Sequence, residues 1–189
     1  DGNIIFINEV GDVNAVDLKS GDLIWQTPTQ NISILENSFS FIYSNIVLDN
    51  ENIYFSNNMK EFFSINKKNG LVIWKQNISS LVNPVIINNI IFTISENGFL
   101  IIFDKEKGNI LRSTNIMKIF KKQNKNQSHT GFIVGKDHIF VTLSTGYIIK
   151  VSVINGKPLN VYKTNRGYIS KPYVHDKHLY IVSDKFIKK

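Results

Sequence analysis

Short apolar runs alternate with tight polar turns along the whole chain, and the alternation itself repeats. An apolar residue at Ile5, Tyr54, Phe92 and Phe140 is followed twelve positions later by Asp17, Asn66, Asp104 and Ser152. Four positions after each of those stands Gly21, Gly70, Gly108 or Gly156. A fifth copy opens at Tyr180 and reaches Lys189 before its turn. Self-similarity at 38 to 49 residues marks a stacked-repeat architecture, in which one unit cannot bury its apolar face alone.

Within each unit the same signals come in the same order. A short run that often follows proline (Val85 to Ile87, Tyr173 to His175) meets a polar turn such as Asn88-Asn89, Lys136-Asp137 or Asp176-Lys177. Next comes a β-branched and aromatic run, Ile90 to Ile94, Ile139 to Leu143 or Leu179 to Val182. Such runs between turn residues read as strands. The second turn ends in Gly11, Gly98 or Gly146, where glycine supplies a positive φ. Lys60 stands at the matching place and predicts a different turn there. A third run, Phe99 to Phe103 or Tyr147 to Val151, is largely apolar, as a strand covered on both faces should be. A fourth leaves the Asp-x-x-x-Gly turn: Leu23 to Trp25, Val72 to Trp74, Ile110 to Arg112.

Four antiparallel strands in 38 to 49 residues predict an all-β fold, a β-propeller of four-stranded blades. The blades are expected at about 1–30 (partial), 44–80, 81–117, 130–165 and 168–189 (partial), one partial propeller over 1–189. Helical periodicity is confined to Ile116 to Lys122, room for one or two turns.

The chain is 42% hydrophobic, enough for a real core, and has no apolar run of the 18 residues that a membrane helix needs. It has no cysteine, which excludes a disulfide, a thiolate metal site or a cysteine nucleophile within it. The net charge of +7 raises nucleic acid as a partner. Against that, only Arg112 and Arg166 are arginine, the residue that forks onto phosphate and guanine. With 24 asparagines and abundant lysine and isoleucine, codon bias accounts for much of the basic balance.

The segment Ala15-Val16-Asp17-Leu18-Lys19-Ser20-Gly21-Asp22-Leu23-Ile24-Trp25 resembles the tryptophan-docking repeat of PQQ-like, quinoprotein-type propellers, A-x-D-x-x-x-G-x-x-x-W. Ser64 to Trp74 is a second copy with Asn66 for the acid; Asp104 and Gly108 make a third with Arg112 for the tryptophan. Ser152, Gly156 and Asn160 are the most divergent copy. The resemblance implies blade-docking roles for Asp17, Gly21, Trp25, Asn66, Gly70, Trp74, Asp104 and Gly108. The blade layout is most similar to the BamB family, propeller lipoproteins of the outer-membrane β-barrel assembly machinery. The likeness is clearest from Ser144 to Lys157 and Tyr168 to Ile181, which resemble the closing blades. It implies about half of an eight-bladed ring, the C-terminal half. It further implies a non-catalytic scaffold at the periplasmic face of the outer membrane of a Gram-negative bacterium, with its lipid anchor outside this segment. The implied partner is the periplasmic part of the barrel-forming subunit, BamA, with no cofactor, metal or nucleic acid. The same propeller also carries quinoprotein dehydrogenases. Their pyrroloquinoline quinone and calcium site uses a vicinal cysteine pair, a stacking tryptophan and a carboxylate base.

Other chemistry is sparse. His175-Asp176-Lys177-His178 could offer imidazoles to a metal. It aligns with the ordinary turn at Ile87-Asn88-Asn89-Ile90, and strand alternation is not expected to bring the rings together. His138 holds the matching place one blade earlier, and His129 lies alone in a basic loop. Asp17 and Asp104 recur at one repeat position, which marks turn formers rather than a catalytic pair. No nucleophile elbow, zinc-protease helix or phosphate loop is present.

The departures from the repeat are the candidate binding features. The spacings of 49, 38, 48 and 40 place about ten extra residues in each of two connections. One is Thr27 to Ser44 with Phe39 and Phe41; the other is Met117 to His129 with Lys118, Lys121, Lys122 and Lys125. Insertions in a repeat array often form its binding face, or stand as idle solvated loops. Incomplete first and last blades leave strand edges unpaired. The 189-residue chain alone is therefore expected to self-associate; a sharp monomer peak on size exclusion with cooperative melting would contradict this.

Overall fold

Eighteen strands run through the described residues, each antiparallel to its sequence neighbour within a sheet. They come from a computed structural model that describes residues 2–30, 41–120, 127–164, 167–183 and 186–188. Strands β1 (Asn3–Ile7), β2 (Val13–Asp17) and β3 (Leu23–Thr27) form a three-stranded sheet. Then β4 (Val47–Leu48), β5 (Asn52–Ser56), β6 (Phe62–Asn66) and β7 (Val72–Gln76) form a four-stranded one. So do β8 (Val85–Ile87), β9 (Ile90–Ile94), β10 (Phe99–Asp104) and β11 (Ile110–Asn115), and again β12 (His129–Val134), β13 (His138–Leu143), β14 (Tyr147–Ser152) and β15 (Pro158–Lys163). The last sheet has three strands, β16 (Tyr173–His175), β17 (His178–Ser183) and β18 (Phe186–Lys188). Successive strands pair in simple meander order, as in propeller blades.

The chain divides into two compact units, Asp1–Pro84 with Glu106–Gly108, and Val85–Lys105 with Asn109–Lys189. In the first, Ile7, Val13, Ala15 and Trp25 from one sheet pack with Ile53, Phe55, Phe63 and Ile65 from the next. In the second, Ile91, Ile94, Leu100, Phe103, Ile139 and Leu143 are fully buried. The middle strands are the buried ones, because a neighbour covers each edge and both faces are packed. Every residue of β5 after Asn52 is buried, and so are Phe62 to Ile65 of β6. In the outer strands β3 and β7 only Trp25 and Trp74 are buried.

The helical signal at Ile116 resolves into one 3-10 turn, Ile116–Ile119, capped by the Asn115 side chain on Met117 N–H at 3.0 Å. The turn at Lys60 corrects the sequence expectation. Its backbone is the same as at the glycine copies: φ is 65° at Lys60 and 85°, 76° and 82° at Gly11, Gly98 and Gly146. Asn57 N–H donates to Glu61 O at 2.9 Å, as Ser95 N–H does to Phe99 O at 2.9 Å. The Asn57 carboxamide oxygen accepts from Met59 and Glu61 N–H, both at 3.0 Å, and holds lysine in a conformation it disfavours. A left-handed non-glycine residue costs about 1–2 kcal/mol, offset in part by the larger unfolded-state entropy of glycine. Lys60→Gly should therefore raise stability by about 0.5–1 kcal/mol, read as a higher urea midpoint; a lower midpoint would show that the turn is not strained.

Candidate functional site

The repeated turn between the last two strands of four sheets has one backbone form and a repeated neighbour. Its glycines, Gly21, Gly70, Gly108 and Gly156, have φ of 76°, 73°, 69° and 69°. Asp17 accepts from the N–H groups of Ser20 and Lys19 at 2.8 Å each, which holds its carboxyl below the usual 3.8. Asn66 accepts from Lys68 and Asn69 N–H at 2.9 and 3.3 Å. These side chains close turns, the reason that acid or amide recurs there. Asp104 shares its carboxylate with the Asn89 amide at 3.3 Å, and Ser152 accepts weakly from Asn155 N–H at 3.4 Å.

Against three of these glycines lies a side chain from the outer strand of the preceding sheet. A Cβ at Gly70 would stand 2.6 Å from Trp25 Cε3, and one at Gly108 would stand 2.7 Å from Trp74 Cε3. Trp25 Nε1–H donates to Lys67 O at 3.1 Å, Thr27 Oγ1 to Gly70 O at 2.6 Å, and Gln76 Nε2 to Gly108 O at 2.9 Å. Trp74 also stacks on Phe62, with ring centroids 5.9 Å apart. At the third copy Arg112 takes the tryptophan's place. A Cβ at Gly156 would meet its Cδ at 2.9 Å, and its Nη1 donates to Ile154 O. The flat aliphatic stem of arginine covers the glycine and its head supplies the donor, so the loss of the ring does not empty the position.

A feature that sequence reading missed aims these side chains. The pairing of the last two strands shifts by one residue at the same place in four sheets: between Ala15 and Val16, Ser64 and Ile65, Ile102 and Phe103, and Lys150 and Val151. Ala15 pairs with Trp25 and Val16 with Leu23, which leaves Ile24 without a partner. Such bulges bend the outer strand and re-aim the side chains next to them. The sequence signal was the pair of adjacent apolar residues before each tryptophan, out of step with alternation.

The candidate binding residues divide. Phe41 is partly buried against the core of the first unit: its Cζ lies 2.8 Å from where a Gly11 Cβ would be, and its ring centroid lies 5.6 Å from that of Tyr43. It packs on the core of the first unit rather than standing out as an exposed anchor. Phe39 lies outside the described residues, as do Lys121, Lys122 and Lys125, whereas Lys118 is exposed on the 3-10 turn.

The histidine cluster is a two-residue hairpin with Asp176 and Lys177 both at positive φ, 45° and 62°. That turn makes His175 and His178 direct cross-strand partners, contrary to the sequence expectation that alternation would separate them. Both are exposed, and His175 Nε2 lies 3.3 Å from Asp176 Oδ2. Burial pushes the His129 imidazole down from 6.5, with Glu96 acting the other way.

Comparison with known proteins adds three findings. A family model described as "Outer membrane protein assembly factor BamB" matches residues 1–114; Ser144 to Ile181 lies outside that match. Outer membrane protein assembly factor BamB of Legionella pneumophila (strain Paris) is 27% identical over 104 residues, 53% of this chain and 24% of that protein. Among solved structures, BamB from Moraxella catarrhalis superposes with a TM-score of 0.64 at 15% identity over 99% of this chain and 68% of that one. Quinohemoprotein alcohol dehydrogenase from Comamonas testosteroni does so with 0.65 at 12% identity, over 96% and 38%. At these identities the structural likeness speaks for the fold alone.

The glycines provide an internal control for the ring contacts. Nothing stands within 4 Å of a Cβ built on Gly21. Gly21→Ala should thus cost only the left-handed strain, about 1–2 kcal/mol. Gly70→Ala and Gly108→Ala should cost about 2–5 kcal/mol, because the ring must also move. Urea unfolding of the three variants reads the difference; equal losses would mean that the ring contact contributes nothing.

Proposed function

The chain belongs to the family of outer membrane protein assembly factor BamB, and from that membership we propose that it is a non-catalytic interaction scaffold in the assembly and insertion of outer-membrane β-barrel proteins. The match over residues 1–114 carries the reading. The site chemistry supports it: the recurring carboxylate and amide side chains close turns, and both tryptophans lie on glycines of the next sheet. The chain works at the periplasmic face of the outer membrane, held there by a lipid anchor in the whole protein. Its partner is the periplasmic part of the barrel-forming subunit, BamA, met through connections between sheets rather than through the packed blades.

The competing reading is part of a pyrroloquinoline-quinone dehydrogenase, favoured by the fold shared with the quinohemoprotein enzyme. The residues of this chain do not fit such a site. It has no cysteine, and Trp25 and Trp74 are each 8% exposed and covered by sheet contacts rather than open to stack on a quinone.

The test is made on the whole protein that contains this chain. Its deletion should lower the amount of folded β-barrel proteins in the outer membrane, and it should pull down the purified periplasmic domains of the barrel-forming subunit. Normal barrel levels together with pyrroloquinoline quinone binding and dye-linked alcohol oxidation would overturn the scaffold in favour of the enzyme.

A further inference from the structure

The net charge of +7 is not spread along the chain. Between Glu106 and Asp137 there is no acidic residue, while that stretch holds Lys107, Arg112, Lys118, Lys121, Lys122, Lys125 and Lys136. These seven equal the whole excess; the other 15 basic residues are balanced by the 15 acidic ones. Codon bias toward lysine does not by itself gather the surplus in one stretch of sequence, of which Lys118 is exposed on the 3-10 turn.

From Asn109 onward, the described part of this stretch belongs to the second unit. Ile116 is fully buried and its N–H donates to Gly98 O at 3.0 Å. The Met117 side chain lies on Gly98, in space that any Cβ there would occupy. Phe120 meets the Tyr147 ring edge-on, with centroids 5.4 Å apart. Tyr147, the first residue of β14, pairs with Lys163 at the end of β15, and Lys163 Nζ sits 5.6 Å from the Tyr147 ring centroid. The 3-10 turn itself packs on β15. Lys118 and Lys163, both exposed, therefore share one end of this unit with the aromatic pair. Glu96, in the adjoining Ser95–Gly98 turn, acts on His129.

We propose that Lys118, Phe120, Tyr147 and Lys163 form a docking patch for an acidic segment of a partner protein. Carboxylates would face the two ammonium groups, and one apolar side chain would rest on the aromatic pair. Charge complementarity selects the occupant. Lysine suits carboxylates as a mobile point charge, whereas phosphate recognition favours arginine forks. A lipid surface is less suited, because Phe120 and Tyr147 are half-buried against each other rather than free to insert. The inference rests on the scaffold reading only for the premise that the partner is a protein.

The test measures binding of fluorescein-labelled poly-L-glutamate to the 189-residue chain by anisotropy at two salt concentrations, beside sedimentation with vesicles of phosphatidylethanolamine and phosphatidylglycerol. Lys118→Glu with Lys163→Glu should weaken poly-glutamate binding about tenfold or more and flatten its salt dependence. Lys118→Gln with Lys163→Gln should weaken it about threefold. Lys19→Glu with Lys68→Glu makes the same charge change on exposed turns of the first unit and should cost less than about threefold. Equal losses in the two reversal pairs would overturn the patch in favour of bulk charge. So would wild-type chain that ignores poly-glutamate, and vesicle binding lost in the first pair without poly-glutamate binding would identify a lipid surface instead. Poly-glutamate binding that persists where BamA capture fails would support the patch and count only against the assembly reading.

Discussion

A flat side chain laid on a glycine of the next sheet is the contact on which the rest depends. Trp25 on Gly70 and Trp74 on Gly108 work because the glycine serves two needs at once. Its positive φ closes the turn, and its missing Cβ lets a ring approach the backbone. Trp25 brings a donor as well, so that a carbonyl of the receiving turn is satisfied as it is covered: its Nε1 reaches Lys67 O. Arg112 shows that the requirement is physical rather than a matter of residue type. A planar head on an apolar stem covers Gly156 and donates to Ile154 O in the same way.

That contact also explains why acid and amide side chains recur at one place in the repeat. The turn that presents the glycine needs an acceptor at its first position, which Asp17 and Asn66 supply. The one-residue shift before each outer-strand tryptophan or arginine turns that side chain toward the glycine and leaves Ile24 and its equivalents outside the ladder. With acids, amides and tryptophans committed to the repeat, the proposed role in recognition falls to what the repeat does not use. The two long connections meet that condition unequally. Phe41 is partly buried against the core of the first unit, while Lys118 stands out from a turn held by Ile116 and Phe120.

Much of the fold was legible in the chain because both periodicities are local. Strand runs bounded by glycine and asparagine, and the recurrence of Asp-x-x-x-Gly, reflect what a hairpin meander requires of each residue separately. Lys60 was misread for the same reason. Sequence preference gives lysine no left-handed turn, but Asn57 and the flanking pairing of β5 with β6 impose one. His175 and His178 were separated by counting alternation along one strand; a two-residue hairpin makes them partners on two.

The sequence by itself determined the strands, the turns and the repeat, because these depend on neighbours a few residues away. It also determined where the charge excess lies, since that is a matter of order along the chain. Only the tertiary structure decided that Arg112 could stand in for tryptophan, that Phe41 packs against the core and that Lys163 joins Lys118 beside an aromatic pair. Each of those outcomes depends on residues well separated in the chain meeting across a turn or a sheet, and no local preference encodes such a meeting.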